Sequence, residues 1–163
     1  MKKAKFVQIK SKITNALNSL YKNDHFLLEN NINERCITNK LAAYLQNEFP
    51  YWHVDCEYNR FTDIVKKLDL PKDTINWDDL EAKTIYPDII IHHRNTNDNL
   101  IVIEVKKSNS QINRIFDENK LIAFTKDPYF YQLGILINIY VGSDSSIFPK
   151  FKFFKDGQPL DND

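Results

Sequence analysis

Glycine is scarce in this chain, with three among 163 residues, and neither G-x-G-x-x-G nor G-x-x-x-x-G-K-S/T occurs. That excludes the glycine loops that cradle phosphate in dinucleotide-binding and P-loop proteins. Cysteine is scarcer still: Cys36 and Cys56 stand alone, with no C-x-x-C. This argues against a zinc ribbon or a disulfide framework and favours free thiols in a reducing compartment, so a cytoplasmic location is expected. Charge of one sign is not in excess, since 22 basic residues balance 22 acidic ones. A nucleic-acid partner would therefore need charge segregated onto one face. No apolar run is long enough for a membrane span. The basic start MKKAKFVQIKSKI has no apolar core and no small-residue cleavage site, so no signal peptide is expected.

What remains suits one compact domain over residues 1–163. Phe6, Ile9, Ile13, Ala16, Leu17 and Leu20 recur at helical spacing, which predicts an amphipathic helix over 3–21 as an addition to the core. After the polar stretch YKNDHFLLENN, Asn31 or Asn33 can cap a second helix. Its stripe is Cys36, Ile37, Leu41, Tyr44, Leu45 and Phe49, and Pro50 closes it. HVDCEYNR alternates as a strand, with Val54, Cys56 and Tyr58 on one side. Residues 61–84 show no clean period and read as a long connection. DENKLIAFTKD predicts a helix capped by Asp117, extending back through Ile112 and Ile115 and ending before Pro128. Leu133–Val141 predicts a core strand, FPKFKFFKDG a fifth strand at an edge, and 157–163 a frayed tail. The order α-α-β-β-β-α-β gives an α/β fold with a mixed central sheet of four to five strands flanked by helices.

The stretch PDIIIHHRNTNDNLIVIEVKK, residues 87–107, carries the chemistry. Two apolar runs flank a polar turn, as in a hairpin, yet Asp88, Glu104 and Lys106 interrupt them. Pairing 87–93 with 99–106 so that Ile90 meets Val102 sets His92 opposite Leu100 and Asp88 opposite Glu104. All of these share one face, with Lys106 two residues beyond. Directly opposed Cβ atoms lie about 5 Å apart. Two carboxylates so placed repel unless a positive charge lies between them. Oxygen donors of this kind, with a backbone carbonyl, suit Mg²⁺ or Mn²⁺. Such a metal activates water at a phosphodiester, with Lys106 orienting it or stabilising developing charge. Each motif alone is ordinary: Glu-x-Lys usually marks a solvated strand face, and Asp after Pro a turn.

Pro87-Asp88 followed one hairpin later by Glu104-Val105-Lys106 resembles the PD-(D/E)XK nuclease superfamily. The chain from about Asn31 to Val141 follows that family's order of helix, three-strand meander, helix and strand. The blocks EYNR, PDIIIHHR and NLIVIEVKKS together resemble small bacterial and phage-type members. The resemblance implies a restriction endonuclease-like core and a Mg²⁺- or Mn²⁺-dependent nuclease acting on nucleic acid, DNA before RNA. It makes Asp88 and Glu104 metal ligands, with the Val105 carbonyl, and Lys106 the catalytic lysine. Glu34 matches an acidic position that many members place on the helix before the sheet. It serves equally well as a first-turn carboxylate at the positive end of a helix. Lys120 matches a lysine or glutamine found on the following helix.

Arg60 and Lys107 are further candidates for phosphate contact, beside Arg114 and Lys126. The lysines of the first helix read as a solvated face. Tyr129, Phe130 and Tyr131 are either base-stacking or core residues. His92 and His93 point to opposite strand faces and cannot share one zinc. A Cys36–His53 nucleophile pair competes with a core position for Cys36. A non-catalytic interaction protein keeping a nuclease-like fold is the alternative to the enzyme. A homodimer would supply two sites for cutting both strands.

Overall fold

The structure is a computed structural model and describes residues 3–58, 86–110 and 114–160. The long connection, Arg60 and Ile112 lie outside the described residues.

Helix α1 spans Lys3–Asn23 and buries Ile9, Ile13, Ala16, Leu17 and Leu20, the apolar stripe read from its spacing. The stretch after it is not merely a polar separator. It holds a short helix, α2 (His25–Glu29), anchored by the fully buried Leu28. Helix α3 spans Glu34–Glu48, and the Asn33 side chain accepts from the Cys36 backbone N–H at 2.8 Å as its cap. Its buried face is Ile37, Thr38, Leu41, Ala42 and Leu45; Cys36 and Tyr44 are only half buried and flank that face.

Strands β1 (His53–Cys56), β2 (Ile89–His92) and β3 (Asn99–Lys107) form an antiparallel meander. Helix α4 (Arg114–Phe124) then crosses to β4 (Leu133–Ile139), which runs parallel to β3. Strand β5 (Lys150–Lys155) pairs antiparallel with β4, and the short β6 (Gln158–Pro159) pairs with β5. The described residues thus form a mixed six-stranded sheet in the order β1-β2-β3-β4-β5-β6. The expected count of four to five strands is too low, because β5 is not the edge and part of the expected tail pairs with it. Leu160 N also donates to Phe153 O at 2.8 Å.

The sheet separates two cores. Helices α1 and α3 cover one face, with Ile89, Ile91, Ile101, Ile103, Val105 and the odd-numbered residues of β4. Helix α4 covers the other, with Ile90, Val102, Leu121, Phe124, Tyr131, Leu136 and Phe154. Tyr129 and Tyr131 are therefore core, while Phe130 is exposed.

The hairpin register pairs Ile90 with Val102 as expected, but a bulge between Ile91 and His92 sets His92 opposite Asn99. Leu100 is the unpaired residue, and it turns into the α1/α3 core rather than facing His92. Tyr58 also leaves its expected side. Glu57 adopts a φ of 45° after β1, the alternation breaks, and Tyr58 packs on the α4 face while Val54 and Cys56 pack on the other. Among the described residues no helix is long and apolar enough to cross a membrane.

Candidate active site

Strand alternation on β3 sends Val102, Glu104 and Lys106 toward α4 and Ile101, Ile103 and Val105 toward α1 and α3. Continuing the β2–β3 register by one residue brings Asp88 level with Glu104. Glu104 is buried there and Asp88 half-buried, close enough for the Asp88 charge to act on the Glu104 carboxyl.

Asp88 Oδ2 accepts a hydrogen bond from the Val105 backbone N–H at 2.7 Å, which fixes its carboxyl against β3. Burial lifts its pKa above the ordinary range, opposed by the Lys120 ammonium, the Val105 N–H and Lys106. Glu104 is 1% exposed. Burial pushes its pKa well up, Asp88 and Asp117 add to this, and Lys120 opposes it. Its Oε2 lies 2.7 Å from Lys120 Nζ, while Oε1 has no hydrogen-bond partner among the described residues.

Lys106 Nζ sits 3.3 Å from Glu34 Oε1 and 3.4 Å from Asp117 Oδ2. Burial draws its pKa down, but Asp117, Glu34, Asp88 and Glu104 outweigh burial and push it up to about 12. It is a cation at neutral pH. Lys120 behaves likewise: burial is outweighed by Glu104, Asp88 and Asp117, so its pKa rises. Its Nζ also donates to Tyr86 O at 3.4 Å.

Glu34, in the first turn of α3, straddles the end of β3: Oε1 takes Lys106 Nζ, and Oε2 accepts from Lys107 N at 3.0 Å. Lys107 points to the other face, donating to Asn31 Oδ1 at 2.9 Å and Ile32 O at 3.2 Å. The structure thus brings Asp88, Glu104, Lys106, Glu34 and Lys120 together and turns the Lys107 ammonium toward the loop before α3. Arg60 lies outside the described residues. Arg114 is exposed and donates to Asn138 Oδ1 at 3.0 Å.

Asp117 enters the site without having been read there. It is inside the first turn of α4 rather than a cap before it, 3% exposed, and faces both lysines. The signal that finds it is Asp117-x-x-Lys120, since residues three apart share a helix face.

The histidines are engaged elsewhere. His92 Nε2 lies 2.9 Å from Asp55 Oδ2, and His93 bonds Asp98 and Tyr51 O while stacking on Trp52 at 4.1 Å. His53 Nδ1 accepts from Arg94 N at 3.3 Å. Burial pushes the Cys56 thiol up to about 11, an inert state rather than a reactive one.

Two buried carboxylate oxygens, Glu104 Oε1 and Asp117 Oδ2, have no hydrogen-bond partner among the described residues. Asp117 Oδ2 still faces the Lys106 ammonium at 3.4 Å, which leaves Glu104 Oε1 as the unengaged hard donor, of a type that fits a small divalent cation. Among the described residues no group of three His, Cys, Asp or Glu side chains is placed to hold a metal by itself. No protein-family model, curated protein or solved structure matches this chain.

Proposed function

We propose that this chain is a metal-dependent nuclease of the PD-(D/E)XK kind, hydrolysing phosphodiester bonds of DNA in a restriction endonuclease-like core. One observation carries the reading: half-buried Asp88 and buried Glu104 and Lys106 lie together toward the end of β3, with an oxygen of Glu104 left unpartnered. A purely structural role does not account for it, because a buried carboxylate oxygen left without a hydrogen bond costs stability.

In this reading Asp88 and Glu104 hold Mg²⁺ or Mn²⁺ with the backbone carbonyl of Val105. When bound, the metal supplies Lewis-acid polarisation of the phosphoryl oxygen and a bound water of lowered pKa. Lys106, held protonated by its carboxylate neighbours, stabilises negative charge developing on the phosphorane oxygens and does not take a proton. Glu34 keeps the Lys106 ammonium at the end of the strand. Lys120 holds one oxygen of Glu104 and leaves the other free.

The test is a cleavage panel of duplex, single-stranded and branched DNA and of RNA, with Mg²⁺ or Mn²⁺. Glu104→Gln and Lys106→Met are expected to lose about 10²–10³-fold in rate while near-UV circular dichroism reports folded protein. Metal-dependent cleavage by Lys106→Met at the wild-type rate sinks the reading. The panel also separates DNA from RNA. Sedimentation during turnover tests for a homodimer.

The second reading is a non-catalytic interaction protein on the same fold. It is favoured by the direct Lys120–Glu104 pair and by the lack of a three-ligand metal group among the described residues. Mn²⁺ titration showing no binding would select it.

A further inference from the structure

Asp117 has no task in the reaction above, yet it is among the most buried charged groups of the described chain, at 3% exposed. Its Oδ2 lies 3.4 Å from Lys106 Nζ and its Oδ1 3.8 Å from Lys120 Nζ. Lys106 otherwise pairs with Glu34 and Lys120 with Glu104. Among the described residues Asp117 is the carboxylate with an oxygen within 4 Å of each lysine ammonium. With every group ionised, Asp88, Glu104, Asp117 and Glu34 face Lys106 and Lys120, and the balance is two negative charges. One divalent cation neutralises that.

We propose that Asp117 is a positioning residue that shares the Lys106 and Lys120 ammonium groups with the other carboxylates, leaving Asp88 and Glu104 competent to bind a divalent cation. This rests on the nuclease reading only in its requirement for that cation. Without Asp117 the two ammonium groups have fewer carboxylates to share. Lys120, already on Glu104 Oε2, then competes with the cation for the whole carboxylate.

The experiment titrates Mn²⁺ into the full chain by calorimetry, without nucleic acid, for wild type, Asp117→Asn, Lys120→Met and the double variant. Asp117→Asn is expected to bind Mn²⁺ about tenfold more weakly or worse, since a full charge is lost within a few ångströms at low dielectric. The double variant also removes the ammonium that competes for Glu104, so affinity returns to the wild-type range. A purely structural role for Asp117 gives no such rescue. Unchanged affinity in folded Asp117→Asn overturns the proposal, as does a double variant no better than Asp117→Asn.

If Asp117→Asn fails to fold, the double variant supplies the test, because it removes one charge of each sign and leaves the net charge of the cluster unchanged. Lys120→Met must then bind Mn²⁺ more tightly than the double variant, and equal affinities overturn the proposal. Wild type that binds no Mn²⁺ overturns the nuclease reading and this inference together. Wild-type binding with an unchanged Asp117→Asn overturns the inference alone.

Discussion

Asp55 on β1, level with Ile90, joins two side chains, His92 and Arg94. Its Oδ2 lies 2.9 Å from the buried His92 Nε2 and accepts from Arg94 Nε at 2.9 Å, while Arg94 Nη2 donates to its Oδ1. The Arg94 guanidinium holds the Asp55 carboxyl below its ordinary range; burial opposes this, and His92 assists. A carboxylate with a depressed folded pKa stabilises the fold at pH above its unfolded value of 3.8, and that contribution is lost as pH falls through the lower folded value. Asp55→Asn is expected to lower stability at pH 7 by about 1–3 kcal/mol, since one of two acceptor oxygens becomes an NH₂ facing a donor of His92 or Arg94 and the charge opposite Arg94 is lost. The deficit should shrink below pH 3.8. Urea unfolding at pH 7 and pH 3 checks this, and an equal deficit at both would refute it. Nothing in the sequence pairs Asp55 with His92, because the two are neighbours only across β1 and β2.

At the scale of elements, the seating of α4 on the sheet is what completes the site. Gly134 on β4 makes this close approach feasible: a Cβ there would meet Thr125 Cγ2 at 3.1 Å, Phe154 Cβ at 3.2 Å and Leu121 Cβ at 3.4 Å. Gly134→Ala is expected to destabilise the protein by about 1–3 kcal/mol through overpacking. It should also weaken Mn²⁺ binding beyond a surface variant of matched stability, because the displaced helix carries Asp117 and Lys120. Calorimetry on such a matched pair decides it. The helices α1 and α3 were legible from their apolar spacing, and the α3 cap from Asn33. Helix α2 was not, since its five residues are too few to show a period. The bulge was equally hidden: Leu100 and Ile101 are both apolar, so hydrophobic pattern cannot say which one pairs.

For the whole molecule, a cation that binds only the folded chain stabilises it by mass action. At a Mn²⁺ concentration of about 100 Kd the gain is about 2.7 kcal/mol, or roughly 5–10 °C in Tm for a chain of this size. Thermal unfolding with and without Mn²⁺ should show that rise in wild type and lose it in Glu104→Gln. A rise of the same size in Glu104→Gln would place the cation elsewhere. The site draws on α3, the residue before β2, β3 and α4, so loading it ties both helical layers to the sheet.

The sequence alone determined what local periodicity encodes: the stripes of α1 and α3, the Ile90–Val102 pairing, and the placing of Asp88, Glu104 and Lys106 on one strand face. A period of two or 3.6 residues says which side chains share a face, and nothing more is needed for those statements. Tertiary structure decided which faces meet. It put β4 parallel to β3, set β5 inside the sheet, sent Tyr58 to the α4 side and turned Asp117 from a helix cap into a partner of two buried lysines. Ion pairs at 2.7–3.4 Å between groups on different elements depend on how closely layers pack. That closeness is set by contacts such as Gly134 against Leu121, which no single segment of the sequence contains.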